Sequence, residues 1–123
     1  MCHGHLAVWR ALGTVRDMPG QITPTEVAQQ LKAGRPLVLV DVREPAELAL
    51  ASIPNARHIP MNDIPARMHE LDANAEIVVF CHHGMRSANV AEFLAQQGFT
   101  NVVNLTGGID AWSLSVDPGV PRY

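Results

Sequence analysis

The residues best suited to chemistry are Cys81-His82-His83-Gly84-Met85-Arg86-Ser87, which follow directly on the apolar run Glu76-Ile77-Val78-Val79-Phe80. A strand that ends in a loop and re-enters a helix can curl its backbone N–H groups around such a thiol. The dipole of the following helix adds positive potential. Arg86 brings a full positive charge, and Gly84 lets the loop bend where a side chain would collide or φ must be positive. Such a nest holds an anion and favours the thiolate of Cys81. A thiol with a pKa of about 8.5 is only about 3% ionised at pH 7, whereas at about 6.5 roughly three-quarters is ionised, a difference of about 2.7 kcal/mol. The same field would stabilise a persulfide anion. A free cysteine is commonly just a small buried hydrophobe. The order strand, cysteine, glycine, arginine, helix argues against that here.

The elements that must position this loop alternate between short apolar runs and longer helical patterns, the signature of a parallel α/β sheet. Thr23-Pro24-Thr25-Glu26 has the form of a capping box with proline in the first turn, and predicts a helix ending near Gly34. Pro36-Leu37-Val38-Leu39-Val40 reads as a strand covered on both faces. A short helix is expected over 44–51, a brief strand at 58–60, a helix over 63–71 and the buried strand over 76–80. Ala88, Val90, Ala91, Phe93, Leu94 and Ala95 recur at helical spacing until Gly98. Val102-Val103 make a short strand, and Leu105-Thr106-Gly107-Gly108 turn into a helix that carries Trp112. The segment Asp117-Pro118-Gly119-Val120-Pro121 is expected to be extended and loose.

The chain has 123 residues, 47% hydrophobic and 17% charged, which suits one globular domain with a real core. Its net charge of −3 argues against nucleic acid, and the lack of an 18-residue apolar run argues against a membrane span. Residues 1–20 are expected to be an N-terminal extension, helical or disordered, ahead of a domain over 21–123. Arg10 interrupts the extension's apolar residues and no basic region precedes them, so a secretory signal is not expected. Two cysteines, Cys2 and Cys81, are too few for a disulfide framework, which points to a reducing cytoplasm.

Taken together, three segments resemble one known family. Residues 81–87 match the C-x-x-G-x-R-S active-site loop of single-domain rhodanese-like sulfurtransferases. Asp41-Val42-Arg43-Glu44-Pro45-Ala46-Glu47 resembles the family's D-V-R-x-x-x-E segment, and Leu105-Thr106-Gly107-Gly108 with Trp112 resembles its L-x-G-G-x-x-x-W motif. The resemblance runs over 21–112. It implies a five-stranded parallel sheet flanked by helices on both faces. It also implies a double displacement in which Cys81 takes sulfane sulfur from a small anionic donor such as thiosulfate and passes it to cyanide, a thiol or a protein cysteine. By resemblance, the amides of His82, His83, Gly84, Met85, Arg86 and Ser87 bind the donor, Arg86 contacts the anion, and Asp41 and Arg43 hold the loop through polar contacts. No cofactor and no metal is implied, and a monomer or homodimer is expected. One departure is Ala51-Ser52-Ile53-Pro54-Asn55-Ala56, where many members read G-H-I-x-G-A.

His82 and His83 could raise the local charge, shuttle a proton or bind a metal with Cys81; exposed loop residues are the favoured reading, because three adjacent side chains on a curled loop diverge. Cys2, His3 and His5 offer soft ligands without a fourth. Trp112 is read as a core or lid residue, and Trp9 with Leu6 and Leu12 as an apolar face. A cysteine phosphatase or arsenate reductase on the same fold would carry five residues between cysteine and arginine; here there are four. A non-catalytic sulfur carrier or regulatory binding module on the rhodanese fold is the remaining alternative.

Overall fold

The computed structural model describes residues 20–123. Its strands are β1 (Gly20–Ile22), β2 (Val38–Asp41), β3 (Arg57–His58), β4 (Ile77–Phe80) and β5 (Val102–Leu105). They form one sheet in the order β1-β5-β4-β2-β3 with every pairing parallel. The helices are α1 (Pro24–Lys32), α2 (Pro45–Leu48), α3 (Ile64–Arg67), α4 (Met85–Gln96) and α5 (Gly108–Ser115). The five-stranded parallel sheet expected from the sequence is the fold observed.

Side-chain alternation along each strand feeds two cores. Val78 and Phe80 of β4 join Leu39, Val103, Leu105, Ile109 and Trp112 on one face. Ile77, Val79 and Cys81 point the other way, with Val40, Val42, Val90, Ala91 and Leu94. Cys81 therefore continues the alternation of β4 one step past the strand and faces α4. Trp112 is a core residue rather than a lid. No helix among the described residues is long and apolar enough to cross a membrane.

Local structure follows the sequence signals, with physical corrections. The capping box at α1 forms with Thr23 and Glu26 as its reciprocal pair. The helix expected over 63–71 is instead three short pieces, a 3-10 turn at Met61–Asp63, α3, and a second 3-10 turn at Met68–Glu70. Pro65 has no N–H to give the carbonyl of Met61, so the Ile64 amide takes it at closer spacing and the turn tightens. The helix expected over 44–51 closes after Leu48. Asn55 has φ of 68°, a region that asparagine tolerates better than most residues. The segment over 117–121 is neither extended nor loose: it turns, with the Val120 amide donating to the Asp117 carbonyl at 3.0 Å, Val120 is buried, the Ser113 hydroxyl donates to its carbonyl, and Arg122 pairs with Asp110 at 2.8 Å. The readings of residues 1–19, including Cys2, His3, His5 and Trp9, lie outside the described residues.

Candidate active site

The loop over 81–86 joins β4 to α4, and its shape is fixed from two sides. Gly84 caps α4 with φ of 107°, a conformation that side chains rarely adopt. On the other side the first turn of α5 presses on the loop. The amides of Ile109 and Asp110 donate to the carbonyls of Cys81 and His82 at 2.9 and 3.1 Å. This approach explains the second glycine of Gly107-Gly108, because a Cβ at Gly108 would sit 2.5 Å from both carbonyl oxygens.

Three donors converge on the Cys81 sulfur. The Gly84 N–H lies 3.1 Å from Sγ, the Ser87 N–H 3.4 Å and the Ser87 hydroxyl 3.3 Å. Burial of Cys81, which is only 2% exposed, pushes its thiol up; the Ser87 hydroxyl, the two amides and the charge of Arg86 outweigh it, and the thiol lies below its ordinary value. Ser87 is itself held by Asn104 of β5, whose amide nitrogen donates to the Gly84 carbonyl and the Gln21 side chain, both at 3.1 Å.

Arg86 does not stand free. Its guanidinium forks onto Glu47 at 2.7 and 2.9 Å, and the Arg86 bond holds the Glu47 carboxyl at about 2. Asp41 and Arg43 form a second, fully buried fork, with Arg43 Nη2 on Asp41 Oδ2 at 2.7 Å. Arg43 also donates to the Ala51 carbonyl at 2.8 Å and to the Tyr123 hydroxyl at 2.8 Å. The polar contacts by which Asp41 and Arg43 can reach the Cys81 loop are indirect. Among the described residues no side-chain hydrogen bond of either reaches 81–87, and the route runs through Tyr123 and Glu47 to Arg86. The hydroxyl of Tyr123 donates to Glu47 Oε1 at 2.8 Å.

The remaining loop side chains diverge. His82 is sandwiched between His83 and Tyr123, both ring centroids 3.8 Å away. Burial and the neighbouring His83 lower its pKa. Met85 is 77% exposed. One ligand atom each from His82, His83 and Asp110 lies within 4.8 Å of the others, but Asp110 is engaged by Arg122 and the two imidazoles lie face to face. Sequence reasoning quoted Glu47 only as part of a motif and missed Asn104 and Tyr123. The acid at a fixed distance after Arg43 was the available signal for Glu47. Nothing local marks the other two.

A parallel α/β domain with a sheltered thiol at the carboxyl end of a central strand defines a class of anion-handling cysteine proteins. The comparison with known families places the chain within it: residues 23–115 match the family described as Rhodanese-like domain, and the chain belongs to that family. It is 41% identical over 96 residues to a protein of Allochromatium vinosum named "Sulfurtransferase", covering 78% of this chain and 90% of that one. Among solved structures, a rhodanese-like domain protein from Staphylococcus aureus superposes with a TM-score of 0.73 at 37% identity, over 84% of this chain and 97% of its own. A human single-domain sulfurtransferase superposes with a TM-score of 0.68 at 26% identity, over 77% and 96%.

Proposed function

We propose that the protein is a sulfurtransferase that carries sulfane sulfur on Cys81 as a persulfide. The observation that supports this most directly is the convergence of the Gly84 N–H, the Ser87 N–H and the Ser87 hydroxyl on one sulfur at 3.1 to 3.4 Å. Donors placed around sulfur stabilise a thiolate, and a persulfide anion places its charge one atom further along the same direction.

In the first half-reaction the Cys81 thiolate attacks the outer sulfur of a donor such as thiosulfate. A new S–S bond forms, the old one breaks, and sulfite leaves with its electron pair. In the second, a thiophilic acceptor (cyanide, a thiol or a protein cysteine) attacks the terminal sulfur, and the thiolate returns as leaving group. Arg86 contacts the oxyanion end of the donor, sharing its guanidinium with Glu47, and the amides of residues 82–87 add to the anion's binding. The shielding of Cys81 suits a donor that offers one protruding atom and disfavours a branched phosphoryl group. A thiol that must stay unpaired also suits a reducing compartment such as the cytoplasm.

The test is a thiosulfate-to-cyanide assay on the wild type and Cys81→Ser, with mass spectrometry after thiosulfate alone. Turnover should vanish in the variant, and the wild type should gain about 32 Da on Cys81 and none on Cys2, as expected of a reactive thiolate. Equal rates in the two proteins would remove Cys81 from the reaction.

A further inference from the structure

We propose that Tyr123 is a positioning residue of the Cys81 site, setting the place of Arg86 through Glu47. The proposal rests on the reading of Arg86 as the contact for an anionic donor. It starts from the segment 117–123, which folds back across the molecule. The Asp117 amide donates to the Trp112 carbonyl at 3.0 Å, Val120 is buried in the core, and Arg122 is tied to Asp110. These attachments leave Tyr123 little freedom in where it lies.

The roles of its hydroxyl are forced by its partners. A guanidinium can only donate and a carboxylate only accepts, so Tyr123 accepts from Arg43 Nη1 and gives its single proton to Glu47 Oε1, each at 2.8 Å. Glu47 is thereby held on every side. Its Oε2 accepts from the Glu44 amide at 2.9 Å and from Arg86 Nη1 at 2.7 Å, and its Oε1 accepts from Arg86 Nη2 at 2.9 Å and from Tyr123. The result is a chain of alternating charge, Asp41, Arg43, Tyr123, Glu47, Arg86, in which the phenol joins two ion pairs. Its first pair is fully buried; its last member lies near enough for its charge to act on the thiol. The Tyr123 ring lies nearly parallel to His82, at 8°, so the same residue braces the loop itself. With the hydroxyl gone, the Glu47 carboxylate and Arg86 keep each other but lose their side-chain tie to the buried pair, leaving only the long 3.4 Å bond from Arg43 Nη1 to the Glu47 backbone carbonyl, and Arg86 is freer to drift from the position it holds near Cys81.

The test reads anion binding without relying on turnover. Cys81 is alkylated with iodoacetamide while sulfate, an unreactive dianion, competes for the site, and the half-protecting concentration is recorded. A hydrogen bond to a charged group is worth enough that Tyr123→Phe should raise this concentration by about five-fold. The pH midpoint of alkylation should rise only slightly, because Gly84 and Ser87 still hold the sulfur and the charge of Arg86 is the smallest of the influences that lower it. Tyr123→Phe keeps the ring on His82; Tyr123→Ala, which loses both, should shift protection at least as far. In a Glu47→Gln background, Tyr123→Phe should add little, since the link it breaks is already weakened. Equal protection of the wild type and both Tyr123 variants would overturn the proposal, as would an effect of full size in the Glu47→Gln background. Lack of protection in the wild type itself would overturn it together with the role of Arg86 in binding anions. A wild type that is protected by sulfate but gains no sulfur would instead count against the sulfur-transfer reading alone.

Discussion

The Ser87 hydroxyl has one proton and two acceptors, Cys81 Sγ and Asn104 Oδ1. While the sulfur is a thiol it needs no donor, and the proton can rest on Asn104. Once the sulfur is an anion, a turn about one bond points the proton at it. Ser87 thus adapts to the charge of its neighbour at almost no structural cost, and Asn104 keeps it oriented. Removing the hydroxyl in Ser87→Ala should raise the alkylation midpoint of Cys81 by about one pH unit, the amount expected for losing one charge-assisted hydrogen bond of about 1.4 kcal/mol. An unmoved midpoint would mean that the proton serves Asn104 alone. The sequence placed Cys81, Arg86 and Ser87 together because they are close along the chain. Asn104 was illegible for the converse reason. An asparagine near the end of an apolar strand looks like a solvent-facing residue, and only the pairing of β4 with β5, which sets Val79 opposite Asn104, brings it to Ser87 and the Gly84 carbonyl beside the sulfur.

At the scale of elements, the site is a joint between two helix starts and one strand end. The loop over 81–86 is clamped because α5 begins where its backbone can touch the carbonyls of Cys81 and His82, and Gly108 makes that touch possible. A methyl group there must displace the loop or α5, at a φ of 62° that already disfavours side chains. Gly108→Ala should therefore cost about 2–3 kcal/mol in urea unfolding, near the upper end for a strained backbone position. It should also slow Cys81 alkylation as the loop shifts. A stable variant with unchanged reactivity would show that the helix start and the loop are not coupled. Strands and capped helices were legible because apolar blocks and the Thr23 box are local signals. The broken helix around Pro65 was not, since one helix was expected over 63–71 while a single missing N–H decided otherwise.

Across the whole molecule, the ion-pair chain from Asp41 to Arg86 ties strand β2, helix α2, helix α4 and the segment ending at Tyr123 into one electrostatic unit. Its effect on stability has a definite sign. Glu47 is lowered from 4.5 to about 2 in the folded protein, so its contribution is fully present above pH 4.5 and is lost as pH falls through about 2. That contribution is on the order of 3 kcal/mol. Urea unfolding at pH 7 and pH 3 should show the wild type losing stability toward acid more steeply than Glu47→Gln, and parallel losses would remove Glu47 as a source of acid sensitivity. The sequence could show the members of this unit only in pairs. Asp41 and Arg43 lie two apart and look like an ordinary strand-end pair, while Tyr123 stands beyond the region of family resemblance and carries no motif.

The outermost strand β3 is two residues long, with Arg57 exposed and Pro60 close behind it. A bordering strand of ordinary length would offer another polypeptide a row of vacant amide and carbonyl groups to zip onto. This one offers hardly any, and the proline withholds a donor where such a seam would lengthen. On that flank the sheet is a poor template for fibrous growth.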